Sequence, residues 1–115
     1  MSDRHDVVAL VVDLMDRSRF GGLDVRFVSA TSQLLDLVRS GAAVTAVVVV
    51  DLTRPGVTEL LGDPELAAEI TRSGARVVGY APHVDTELAE RASGAGIDVM
   101  PLSRFFRDVA AAIAG

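Results

Sequence analysis

Two carboxylates in this chain stand at the ends of apolar runs, where side chains of their type could hold a cation or meet a ligand. Val47 to Val50 are four β-branched residues in a row, and Asp51 follows them. Val7 to Val12 reads V-V-A-L-V-V and ends on Asp13, with Asp16 three residues further on. Apolar runs without polar alternation suit strands buried on both faces. In an open α/β sheet, ligands and chemistry sit at the carboxyl ends of such strands. The plain structural reading is that Asp51 ends its strand and caps the next turn. The chemical reading pairs Asp13 with Asp51 as a two-carboxylate site, which is thin for a divalent ion that wants several oxygen ligands. Arg54, in the turn Arg54-Pro55-Gly56, and His83, in Pro82-His83-Val84, fall on the same side. So do the pairs Ser18/Arg19 and Ser103/Arg104. Arginines there either pair with the acids or, together with Arg54, form an anion pocket.

Composition narrows the chemistry. The chain has 115 residues, half of them hydrophobic, which fits one domain, residues 1–115, with one core. There is no cysteine, which excludes disulfides, thiol catalysis and zinc–thiolate sites. All 11 basic residues are arginine, so no lysine is present for a P-loop, a Schiff base or a charge switch. The net charge is −5, with no basic tract and no aromatic stacking set, so direct nucleic-acid binding is not expected. No apolar run approaches the length of a membrane span, and residues 1–6 lack a signal-peptide core. The expectation is a cytoplasmic protein without a membrane partner.

The elements that must position these residues alternate between strand and helix. Strands are predicted at Val7–Val12, Asp24–Ala30, Val44–Val50, Ala75–Ala81 and Ile97–Met100. The second alternates, with Val25 and Phe27 one way and Arg26 and Val28 the other, as an edge strand does. Residues 14–20 leave room for about two helical turns before Gly21-Gly22. Thr31 or Ser32 caps a helix carrying Leu34, Leu35 and Val38, with Gly41 as its stop. Asp63-Pro64-Glu65 starts a helix with Leu66 and Ile70 inward. Asp85 or Thr86 caps the next, with Leu88 and Ala92 inward. Ser103 caps a single last helix over 104–114, with Phe106, Val109 and Ile113 on one face. Tyr80, the lone tyrosine, is read as a packing residue at the sheet edge. Right-handed crossovers make such a chain a parallel, doubly wound sheet with helices on both faces. Order 2-1-3-4-5, the flavodoxin-like arrangement, puts the three most apolar strands inside.

At this point the chain resembles a response-regulator receiver domain over nearly its whole length. Val47 to Gly56, V-V-V-V-D-L-T-R-P-G, is similar to the receiver pattern of an apolar third strand ending in Asp-Leu with Pro-Gly shortly after. Gly96-Ile97-Asp98 resembles the Gly-Ala-Asp before a receiver's fifth strand, and Phe105 falls where receivers carry Phe after Lys-Pro. The resemblance implies Asp51 as the phosphoacceptor position and Asp13 and Asp16 as the acidic pocket. Arg54, Ala81, His83, Ser103 and Arg104 are the candidate lining of that pocket. The departures are specific. Asp13 is followed by Leu14 rather than a second acid, and Asp16 substitutes only from the loop. Ala81 stands for the Ser or Thr at the end of strand four, and Ser103, beside Arg104, for the Lys. The resemblance is therefore to an atypical receiver, or pseudo-receiver.

The resulting expectation is a stand-alone, non-enzymatic signalling module of the two-component kind. It acts by binding a protein partner or a second copy of itself, without conventional aspartyl phosphorylation. No cofactor is expected beyond a weak Mg²⁺ at Asp13 and Asp51. The alternative is a small-molecule or anion-binding domain that uses the Arg-rich edge. A metal-dependent phosphotransfer or hydrolytic enzyme on Asp13 and Asp51 is the third reading.

Overall fold

A computed structural model of the chain describes residues 7–21, 23–40, 47–53, 64–72 and 74–114. Its five strands are β1 Val7–Leu10, β2 Val25–Val28, β3 Val47–Asp51, β4 Arg76–Ala81 and β5 Ile97–Pro101. The described helices are α1 Leu14–Ser18, α2 Thr31–Ser40, α3 Pro64–Arg72, α4 Thr86–Gly94, α5 Leu102–Arg107 and α6 Val109–Ala114. The strands form one all-parallel sheet in the order β2-β1-β3-β4-β5. This is the flavodoxin-like α/β arrangement, and the three most apolar strands occupy its centre as the patterning predicts.

Strand alternation divides the interior into two layers. Val8, Leu10, Val48, Val50 and Val77 face α2, α3 and α4, where Leu34, Leu35, Ile70 and Ala92 are buried. Val7, Ala9, Val47, Val49, Val78 and Tyr80 face the opposite way, toward Phe20, Phe105 and Val109. β3 is buried along its whole length. Fully burying one valine is worth about 1.5–3 kcal/mol, so a run of four fixes the strand at the centre.

Local chemistry accounts for most element ends. Asp13 caps α1, accepting from the backbone N–H of Met15 at 2.8 Å and of Asp16 at 3.2 Å. Asp85 caps α4, accepting from Leu88 N–H at 2.8 Å. Gly96, at φ +77°, turns the chain from α4 into β5, a conformation that L side chains rarely adopt. The predicted cap at Asp63 and the predicted stop at Gly41 lie outside the described residues.

The C-terminal prediction needs correction. Ser103 does not cap a single helix over 104–114. α5 begins at Leu102 straight after Pro101, with no side-chain cap bond, and Ser103 is an exposed residue of its first turn. The helical path breaks at Asp108, where φ is −152° and ψ 87°. The Asp108 carboxylate then accepts from Ala111 N–H at 3.1 Å in the first turn of α6. β1 also ends at Leu10 rather than Val12.

Gly79 lies inside β4 where Leu52 and Ile97 crowd the space a side chain would need. A Cβ at this position would stand 2.7 Å from Leu52 Cδ1, 3.0 Å from Leu52 Cγ and 3.2 Å from Ile97 Cγ2. Overpacking of this kind costs about 1–3 kcal/mol. The Gly79→Val variant is expected to keep its far-UV circular dichroism while its urea midpoint falls by that equivalent. An unchanged midpoint would refute the packing account.

Candidate functional site

β3 delivers Asp51 to the carboxyl edge, where it is the one buried charged residue among the described residues, 4% exposed. A buried carboxylate needs hydrogen bonds. Thr53 supplies them to one oxygen. Its backbone N–H donates to Asp51 Oδ1 at 2.9 Å and its hydroxyl donates to the same atom at 2.6 Å. Among the described residues nothing donates to Asp51 Oδ2, and no arginine forms an ion pair with Asp13, Asp16 or Asp51.

Register sets what stands beside Asp51. The β3–β4 pairing aligns Asp51 with Tyr80, and Ala81 lies one residue beyond, paired with Pro101. The Tyr80 hydroxyl crosses to α1 and donates to Asp16 Oδ2 at 3.1 Å. Its ring is fully buried and stacks on Phe105, with centroids 5.0 Å apart and planes 16° apart. Burial pushes the Tyr80 phenol far above its ordinary range, and the negative charges of Asp51, Asp16 and Asp13 push it the same way. Tyr80 therefore stands at this edge as a neutral hydrogen-bond donor.

The other named residues are placed as follows. Asp13 is exposed and engaged in capping α1. Ala81 is buried. His83 is exposed in the loop before α4. Arg54 lies outside the described residues. Ser18 donates its hydroxyl to Met15 O, and the Arg19 guanidinium lies over the Phe106 ring at 5.1 Å. Arg17 donates to Val11 O at 2.6 Å and to Ser29 Oγ at 3.2 Å, and lies over Phe27. Ser103 and Arg104 are exposed, and Arg104 lines a cleft with Arg76 and Arg107. Among the described residues no group of three acids or histidines is arranged to hold a metal ion.

Two participants escape sequence reasoning. Thr53 carries a local signal, a hydroxyl two residues after an Asp at a strand end, where Asx and ST turns form. Tyr80 carries none, because its partner Asp16 is 64 residues away. Two exposed apolar side chains flank the acids, Leu14 at 77% and Met15 at 74% exposure.

Fold and site together define an open, parallel α/β domain with a carboxylate at the central strand's carboxyl end. Compared with known proteins, the chain matches no family model, no curated protein and no solved structure.

The Tyr80 phenol gives a pH prediction with a definite sign. Its folded-state pKa is raised above the unfolded value near 10, so its contribution to stability is fully present below about pH 10. That contribution is lost as pH rises from there toward the folded-state value. The chain's lone tyrosine should show no tyrosinate absorbance while the fold persists, and the band should appear together with unfolding. A band that grows near pH 10 with intact circular dichroism would contradict the burial account. Tyr80→Phe should abolish the band and lower stability by about 1 kcal/mol through loss of the bond to Asp16.

Proposed function

We propose that this chain is a receiver-like regulatory module that acts by contact with another protein and does not run an aspartyl-phosphate switch. The observation that carries the reading is the environment of Asp51. The acceptor-like carboxylate is held at the end of β3, but its surroundings supply no positive charge among the described residues. Phosphoryl transfer is mainly positioning plus neutralisation of charge on the moving oxygens. A divalent ion at this edge needs several oxygen ligands. Asp13 caps α1 through Oδ1, and Asp16 accepts from Tyr80 through Oδ2, so each acid has one oxygen committed within the fold. The charge on a product phosphate needs a cation, and the sequence holds no lysine. The hydroxyl that β4 contributes to this edge belongs to Tyr80, which is already bonded to Asp16 and stacked on Phe105, and the Thr53 hydroxyl is engaged by Asp51 itself.

Contact with a protein is supported by the surface next to the acids, where Leu14 and Met15 project into water. Isolated exposed apolar residues are ordinary, but two adjacent ones beside a ligand edge suit a docking surface better than a catalytic pocket. No helix among the described residues is long and apolar enough to cross a membrane.

The test is backbone NMR of the labelled chain with magnesium and beryllofluoride. No shift is expected at Asp51 or in α4 and α5, and acetyl phosphate should leave no label. Shifts that need magnesium and the mimic together would overturn the reading. Self-association is expected through α4, β5 and the C-terminal helices. Light scattering that stays at the monomer mass of 12.1 kDa at high micromolar concentration would count against that arrangement.

A further inference from the structure

A second site lies away from Asp51, in a cleft of about 460 Å³ beside β5 and the C-terminal helices. Its volume is in the range of small-molecule sites, roughly 300–1,000 Å³. Three guanidinium groups line it, from Arg76, Arg104 and Arg107. They are not equivalent. Arg76 is committed to structure, because it donates to Ala112 O at 3.2 Å and to Ile113 O, and pairs with Asp98 at 3.5 Å. It thereby satisfies carbonyls at the end of α6 and holds that wall in place. The other carboxylate in the lining, Asp108, accepts from the N–H of Ala111 through Oδ1, so the lining carries three guanidinium groups against two carboxylates. Arg104 and Arg107, three apart on α5, have neither a hydrogen bond nor an ion pair among the described residues. Met100, Ala111 and Ala112 add apolar side chains to the lining.

Like charges three apart on a helix repel one another, and a third guanidinium lines the same cavity. A bound anion relieves that repulsion, and the planar guanidinium fork matches carboxylate and phosphate oxygens two at a time. The apolar lining selects an anion with an organic body over a bare ion. We propose that this cleft binds a small organic anion, a phosphate monoester or a carboxylate, with Arg104 and Arg107 gripping the charged group and Met100, Ala111 and Ala112 covering the body. The site is distinct from the Asp51 edge and does not depend on the signalling reading.

The test is an amide NMR titration of the full chain with phenyl phosphate, benzoate and inorganic phosphate at matched ionic strength. Phenyl phosphate or benzoate is expected to give saturable shifts at Met100, Arg104, Arg107 and Ala112, and the stronger of the two identifies the charged group. Inorganic phosphate should bind more weakly. The R104A/R107A double variant, altered only at exposed positions, should keep its melting temperature and lose affinity by about tenfold or more. The R104K/R107K variant keeps the charge without the fork and should also bind more weakly than the native chain. R26A, on the opposite edge strand, should bind normally. Unsaturable shifts spread over Arg26, Arg72 and Arg91 would overturn the proposal. So would undiminished binding by either double variant. Shifts that follow protein concentration, as the self-association expected on this face would give, with none that follow added anion, would also overturn it.

Discussion

β3 is covered on both faces along its length, and the geometry of the carboxyl edge follows from that cover. A strand locked between β1 and β4, with Val48, Val49 and Val50 fully buried, cannot slide in register without moving a core side chain to the wrong face. Asp51 is thus carried to a fixed point, still buried, where its carboxylate must be satisfied locally. Thr53 does this from two residues away, through a backbone N–H and a hydroxyl on one oxygen. The same register sets Tyr80 at its side. Neither the turn nor the tyrosine would matter if the strand were free to shift.

Tyr80 ties that edge to the far layer. The chain contains four phenylalanines and one tyrosine, and all five rings meet in one cluster. Phe20 packs edge-on against Phe27, Phe105 and Phe106, and Tyr80 stacks on Phe105. Each such aromatic pair adds about 0.5–1.5 kcal/mol beyond burial. The cluster therefore joins the edge strand β2, the turn after α1 and helix α5 into one packed unit. Because the Tyr80 ring belongs to it while its hydroxyl reaches Asp16, a displacement at the acidic edge has to disturb the stack on Phe105. Interiors packed to this density transmit such shifts rather than absorb them.

Much of the fold was legible in the sequence because it rests on one-dimensional signals. Apolar runs at Val7 and Val47 named the central strands, partial alternation at Val25–Val28 named an edge, and Asp85 stood where a cap belongs. The C-terminal helix was less legible. Pro101, with φ near −61°, leads directly into α5, so the Ser at 103 falls inside the helix. The break follows Arg107, where Asp108 starts a second helix by capping it, a signal masked by the apolar periodicity running through it. The site was legible in its three acids, Asp13, Asp16 and Asp51, and not in the residues that bond to them. Aligning Ala81 with the end of β4 suggests an edge without a hydroxyl, and a difference of one residue in register brings Tyr80 beside Asp51 instead. Pairing across strands is a property of the folded sheet, and so is a bond between residues 64 apart.

The charge at this edge limits what can settle there. Asp13, Asp16 and Asp51 all add to the field that keeps the Tyr80 proton in place, and none has a cationic partner among the described residues. Two unit charges 4 Å apart interact by about 4 kcal/mol at an effective dielectric near 20. Adding a phosphoryl group here without a counter-charge would therefore be opposed by several kcal/mol, on top of the desolvation of its oxygens. Among the described residues, the arginines of this end of the sheet do not relieve this. Arg17 is drawn off to Val11 O and the Phe27 face, and Arg19 to Phe106. The described residues thus give the edge that the strand order makes most prominent a negative field, while Arg104 and Arg107 have no hydrogen bond or ion pair among them and line a cleft beside β5. Anything that covers the acidic edge must bring its own positive charge or leave Asp13 in contact with water.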